Sequence, residues 1–223
     1  MKRTPYFSGQ SYSFPIGMRS SAPMELKPPP SRIFTNWGVT FLVVLVLWIE
    51  FLLWGDALEY RRVLLLSQPW RLITGHFTHL SLLHAMVNCV ALILLIKLFA
   101  ERMRAWEQWA VILGAPLIIS LAFWFAMPGL IWYRGLSGDL HAFYFAGSVV
   151  WLLTSNGRAR WLPIAAIAGG AIKVLIEQPW SETFPWASWL GASVVPQAHL
   201  IGALVGAAAG LWLAARRKKQ QAQ

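Results

Sequence analysis

A succession of long apolar runs, separated by short polar and basic turns, constrains this chain more than any other feature. A helix needs about 20 mostly apolar residues to cross the hydrocarbon core of a bilayer. Lipid offers no hydrogen bonds to an open backbone, so runs of this kind are expected to be helical. The first run extends over about Trp37–Trp54, the second over Leu80–Ala100 and the third over Trp106–Pro128. The fourth covers Gly135–Thr154, the fifth Trp161–Gln178 and the sixth Ala198–Ala215. The expectation is an all-α membrane protein with six transmembrane helices. Composition agrees, with 57% apolar and 13% charged residues and 14 tryptophans, a side chain suited to the membrane interface. A disordered chain, a soluble enzyme and a disulfide scaffold are excluded. The lone Cys89 can make no internal disulfide and reads as an inert buried thiol.

The net charge of +10 would suggest nucleic acid, but its placement reads as membrane orientation instead. Fourteen of the 19 Lys and Arg residues fall on one side: in the N-terminal stretch, after spans two and four, and at the C-terminal end. Arg61, Arg62, Arg71 and Arg134 fall on the other side, and Lys173 lies within span five. Both termini are therefore expected in the cytoplasm of a multi-pass cell-membrane protein, and no nucleic-acid motif argues otherwise. Residues 1–33 read as a disordered cytoplasmic tail with no signal peptide, 34–215 as the membrane domain, and 216–223 as a basic tail. No repeat relates the two halves, which weakens a transporter reading. The long segment Asp56–Phe77 mixes charge with leucines and Trp70, and is expected to lie in the outer interface as an amphipathic element.

Polar side chains inside a bilayer are costly and mark function by default. His84 and Asn88 are four apart in span two and share a helix face. Ser137 lies between Gly135 and Gly138 at the start of span four, and His199 opens span six above Gly202, Gly206 and Gly210. Spans two, four and six run in the same direction, so these groups sit at similar depth near the outer side. A serine needs a base to become nucleophilic, and His199 can serve. The His84–Asn88 pair and free backbone N–H groups could receive the developing oxyanion. Small residues at Gly202 and Gly206 allow close approach to a neighbouring helix, and span four as that neighbour would bring His199 to Ser137. This chemistry is acyl transfer, and its water must come through a cavity open to the outer side.

The segments Gly135-Leu136-Ser137-Gly138, Ala198-His199-Leu200-Ile201-Gly202-Ala203-Leu204-Val205-Gly206 and His79-x4-His84-x3-Asn88 resemble the three signatures of rhomboid intramembrane serine proteases. Trp70-Arg71, shortly before His79, is similar to the Trp-Arg pair in the rhomboid loop between spans one and two. The resemblance covers about residues 37–215. It implies a six-helix rhomboid-like bundle with a long interfacial loop between helices 1 and 2. It further implies Ser137 as nucleophile, His199 as general base, His84 and Asn88 at the oxyanion, and His79 bracing the loop. A Ser–His dyad of this kind uses no acidic third member, no cofactor and no metal.

Many rhomboids carry a tyrosine four residues after the nucleophile, where this chain has His141. Ser137-Gly138-Asp139-Leu140-His141, with Lys173 and Glu177-Gln178, is similar to the rhombosortase subgroup of Gram-negative bacteria. That likeness implies a periplasm-facing site acting on membrane-anchored proteins that end in Gly-Gly, an apolar helix and a basic tail. His141 could stack on His199, contact substrate backbone or simply pack. Asp139 could complement the helix dipole. Lys173 and Glu177 could neutralise each other, with a tertiary role for Glu177 left open. Two other function classes remain: a His-rich metal or haem protein built on the five histidines, and a catalytically inactive rhomboid relative that only binds membrane helices.

Overall fold

The computed structural model describes residues 38–39, 41–46, 48, 55–178 and 195–221. The expected N-terminal tail (1–33) and part of span one lie outside these. Helical residues at 38–39, 41–46 and 48 form α1. The long helices that follow are α2 (Leu82–Phe99), α3 (Ala105–Ala126), α4 (Ser137–Thr154), α5 (Trp161–Ile176) and α6 (Pro196–Gln221). Among the described residues, α2, α3, α6 and the segment Gly157–Ile176 containing α5 are long and apolar enough to cross a membrane. α4 has 18 residues and begins with the polar set Ser137, Asp139 and His141.

Local chemistry explains where the helices start. Ser81, extended at φ −152°, caps α2 by accepting the His84 N–H at 3.2 Å. Gly135, at φ +134°, turns the chain into α4 through a conformation that disfavours any side chain. α6 opens on Pro196, whose missing N–H falls where a helix has no internal acceptor. At the other membrane face the buried Glu107 of α3 receives the Arg217 guanidinium, with Nε to Oε1 at 2.9 Å, and Arg217 also donates to the Arg102 carbonyl at 2.9 Å. These contacts clamp the end of α6 to the start of α3.

α4 lies at the centre, and its closest partner is α6. The glycine stripe explains the approach. A Cβ at Gly202 would run into the Gly138 carbonyl, one at Gly206 into that of Ala142, and one at Gly210 would lie 2.7 Å from the Ala146 oxygen. Behind α4 the core is aliphatic and aromatic, with Phe99, Phe123, Ile119, Leu136 and Phe143 fully buried. α5 is the loosest member, with only Pro163 and Val174 buried.

The segment between α1 and α2 is more ordered than an amphipathic helix would be. It strings single turns at Gly55–Leu58 and Arg71–Thr74 with 3-10 turns at Arg62–Leu64 and Gly75–Phe77. It also departs from an all-α fold. Tyr60–Arg61 (β1) pairs antiparallel with Trp132–Tyr133 (β2), in register Tyr60↔Tyr133. Arginines hold it: Arg62 donates to the Trp124 carbonyl at 2.7 Å, which caps the end of α3. Arg71, buried, donates to the Glu59 carbonyl at 2.8 Å, while Arg134 joins Glu59 Oε2 at 2.6 Å and also meets Asp56. Leu66 and Val63 are left exposed at 89% and 84%, and Trp70 is half-exposed, which suits contact with the membrane interface.

Candidate active site

α4 and α6 bring Ser137 and His199 together. Ser137 begins α4 immediately after the Gly135–Leu136 turn, and His199 lies in the first turn of α6. The Gly138–Gly202 approach sets their spacing. Ser137 Oγ is 2.9 Å from His199 Nε2. The other ring nitrogen, Nδ1, is 2.9 Å from Glu177 Oε2. A carboxylate can only accept, so Nδ1 carries the hydrogen and Nε2 keeps its lone pair toward the serine hydroxyl. That tautomer can take a proton from Ser137.

His141 lies one turn below Ser137. Its ring stacks on His199 at a centroid distance of 4.3 Å and 16° between planes. Its Nδ1 donates to the Ser137 carbonyl at 2.7 Å, which leaves Nε2 to accept from Lys173 Nζ at 3.0 Å. Lys173 also meets both Glu177 oxygens, at 2.8 and 2.9 Å. Glu177 stands just past the end of α5. Burial disfavours its charge, but hydrogen bonds from His199 and Lys173 outweigh that and hold its carboxyl at about 2.

Ser137, His141, Glu177 and His199 open onto a cavity of about 880 Å³ whose remaining walls come mainly from α2 and α5, including Val87, Leu94 and Gly169. His84 and Asn88 of α2 line the same cavity. Both are buried, and Asn88 Nδ2 and His84 Nδ1 have no hydrogen-bond partner among the described residues. His79 is buried edge-on against the His84 ring, at 4.9 Å between centroids. A Cβ at Gly135 would lie 3.1 Å from His84 Cε1, and one at Gly138 would lie 3.1 Å from the Ala198 carbonyl. Small residues are therefore needed on both sides of the serine.

Of the expected residues, Trp70 and Arg71 stay in the loop and away from the cavity. Two residues carry roles their sequence positions did not disclose. Asp139 is buried with its Oδ2 2.7 Å from His76 Nδ1, and His76 Nε2 is 2.9 Å from Ser120 Oγ. Ser120 in turn donates to the Leu72 carbonyl at 2.7 Å. This chain ties the loop and α3 to the back of α4, two residues from Ser137. An acidic side chain at the start of a membrane-buried helix demands a partner, which was the available signal.

His141, Glu177 and His199 present ligand atoms within 4.8 Å of one another, a spacing that could hold a metal ion. The Lys173 ammonium already sits on two of the three, at 3.0 Å from His141 Nε2 and 2.8 Å from Glu177 Oε1. The remaining histidines are separate, with His76 on Asp139 and His79 beside His84.

Comparison with curated proteins gives no match. Comparison with protein families matches residues 66–216 to the Rhomboid domain. That stretch begins in the loop before α2 and ends with α6, so it contains every side chain of the cavity named above. The chain therefore belongs to the rhomboid family of multi-pass intramembrane serine proteases.

Proposed function

We propose that the protein hydrolyses a peptide bond in membrane-anchored substrates, with Ser137 as nucleophile and His199 as general base. The observation that carries this reading is the 2.9 Å approach of Ser137 Oγ to His199 Nε2, on the opposite side of the ring from the Nδ1 that faces Glu177. It occurs at the wall of a cavity with apolar sides, in a family whose members cleave bonds within the bilayer. A substrate segment unwinds beside α2 and α5 and offers its carbonyl to Ser137. His199 takes the hydroxyl proton as the acyl bond forms, then passes it to the leaving amine. The oxyanion is received by the Asn88 amide and, in its N–H form at the facing nitrogen, by His84. Water entering from the outer side resolves the acyl-enzyme, with His199 again as base. The distribution of basic residues supports an outer face toward the periplasm with both termini in the cytoplasm.

The substrate class follows from the likeness of Ser137-Gly138-Asp139-Leu140-His141 to rhombosortases. It consists of secreted proteins held in the membrane by a C-terminal Gly-Gly, apolar helix and basic tail. Co-expression with a reporter bearing such a tail tests both parts. The wild type should release the reporter, and Ser137→Ala and His199→Ala should leave it anchored. Release by Ser137→Ala contradicts the nucleophile, and a reporter left intact by the wild type contradicts the substrate class.

A further inference from the structure

We infer that His199 is the centre of a Ser137–His199–Glu177 triad, in which Glu177 is a positioning residue, rather than one half of a two-residue dyad. The inference rests on the protease reading above and deepens it. Glu177 Oε2 receives the Nδ1 hydrogen of His199 at 2.9 Å, on the opposite side of the ring from Ser137. The carboxylate is itself held firmly. Lys173, one turn earlier on α5, meets both of its oxygens, and the Glu177 N–H bonds the Lys173 carbonyl at 3.1 Å. The next residue, Gln178, is buried and donates from Nε2 to the Val174 carbonyl at 2.9 Å and the Pro196 carbonyl at 3.0 Å. It staples the end of α5 to the start of α6, three residues before His199.

Among the described residues, the groups facing the imidazole are Glu177 and Lys173 from the end of α5, His141 and Ser137 from α4, and His84 from α2. Glu177 supplies the single negative charge among them, so it fixes the Nδ1–H tautomer and stabilises the imidazolium that forms as Ser137 attacks. Lys173 limits that effect and aims the carboxylate. His141 carries the chain of contacts back to the Ser137 carbonyl, so the nucleophile and the acid are linked on both sides of the base.

The test uses the full chain in detergent and a fluorophosphonate probe, which reports serine nucleophilicity without a known substrate. Labelling rates are followed against pH for wild type, Ser137→Ala, Glu177→Gln and Glu177→Asp, with melting temperature measured for each. The triad predicts labelling of the wild type that is absent in Ser137→Ala. Glu177→Gln should label at least about a hundredfold more slowly, as the loss of an orienting carboxylate entails. Its acidic limb should also move to lower pH, because the imidazolium loses its counter-charge. Glu177→Asp keeps the charge and should recover part of the rate with the wild-type pH midpoint. If Glu177→Gln does not fold, Glu177→Asp decides alone by this rate and midpoint. Equal rates and superimposed pH profiles would overturn the triad while leaving Ser137 in place. A wild type that resists the probe would overturn the protease reading instead.

Discussion

The buried Asn88 amide is where energetics and function part most clearly. A buried donor without a partner costs about 1–3 kcal/mol, and Asn88 Nδ2 is such a donor among the described residues. It lies on the cavity wall beside His84, and in the proposed mechanism an oxyanion is its partner. Asn88→Ala should therefore lower kcat by about 10²–10³, with KM little changed. Its melting temperature should not fall, since among the described residues no hydrogen bond from Asn88 Nδ2 is lost. Turnover kinetics and thermal unfolding check both, and an unchanged kcat would remove Asn88 from the mechanism. The same scale marks what the sequence disclosed. Ser137, His199, His84 and Asn88, which line the same cavity, were legible as a group because each is a polar residue near the start of an apolar run. The His76–Asp139 pair was not, because His76 sits in a loop with no period. His141 stacked on His199 and Lys173 paired with Glu177 were both legible as possibilities, whereas the Glu177–His199 contact depends on how the end of α5 meets α6.

At the scale of elements, the α4–α6 contact governs the site. The carbonyls of Gly138, Ala142 and Ala146 lie where side chains on α6 would otherwise be, so the helices meet backbone to backbone. Gly202→Leu must push them apart. Overpacking of this kind costs about 1–3 kcal/mol or more. His199 lies one turn away, and a displacement of about 1 Å can cost about a hundredfold in rate. The variant should lose at least that much activity and melt at lower temperature, measured by turnover and by thermal unfolding in detergent. Full activity would mean that the glycine stripe does not set the Ser137–His199 distance. The small-residue spacing was readable in the sequence. The choice of α4 as its partner was only conditional there, because spacing marks a face and leaves open what meets it.

Among the described residues, the helical frame gathers α2, α4 and the start of α6 around a cavity, with a braced loop beside them. The apolar runs predicted six long helices, of which four of the described ones, α2, α3, α6 and the segment containing α5, are long and apolar enough to cross a membrane; the loop was expected at the interface. Its internal order was not readable, because it comes from Arg62 reaching the α3 carbonyls, Arg71 reaching the Glu59 carbonyl, and a two-residue ribbon from Tyr60 to Tyr133. Such bonds join residues far apart in the chain and leave no periodic trace. The frame holds Ser137 against His199 at the wall of a cavity. The most direct test is to treat the purified wild type and His199→Ala with a fluorophosphonate and map the adduct by mass spectrometry. The account predicts a single modified serine, Ser137, in the wild type and none in the variant. An adduct on another serine, or one on Ser137 that survives the loss of His199, would contradict it.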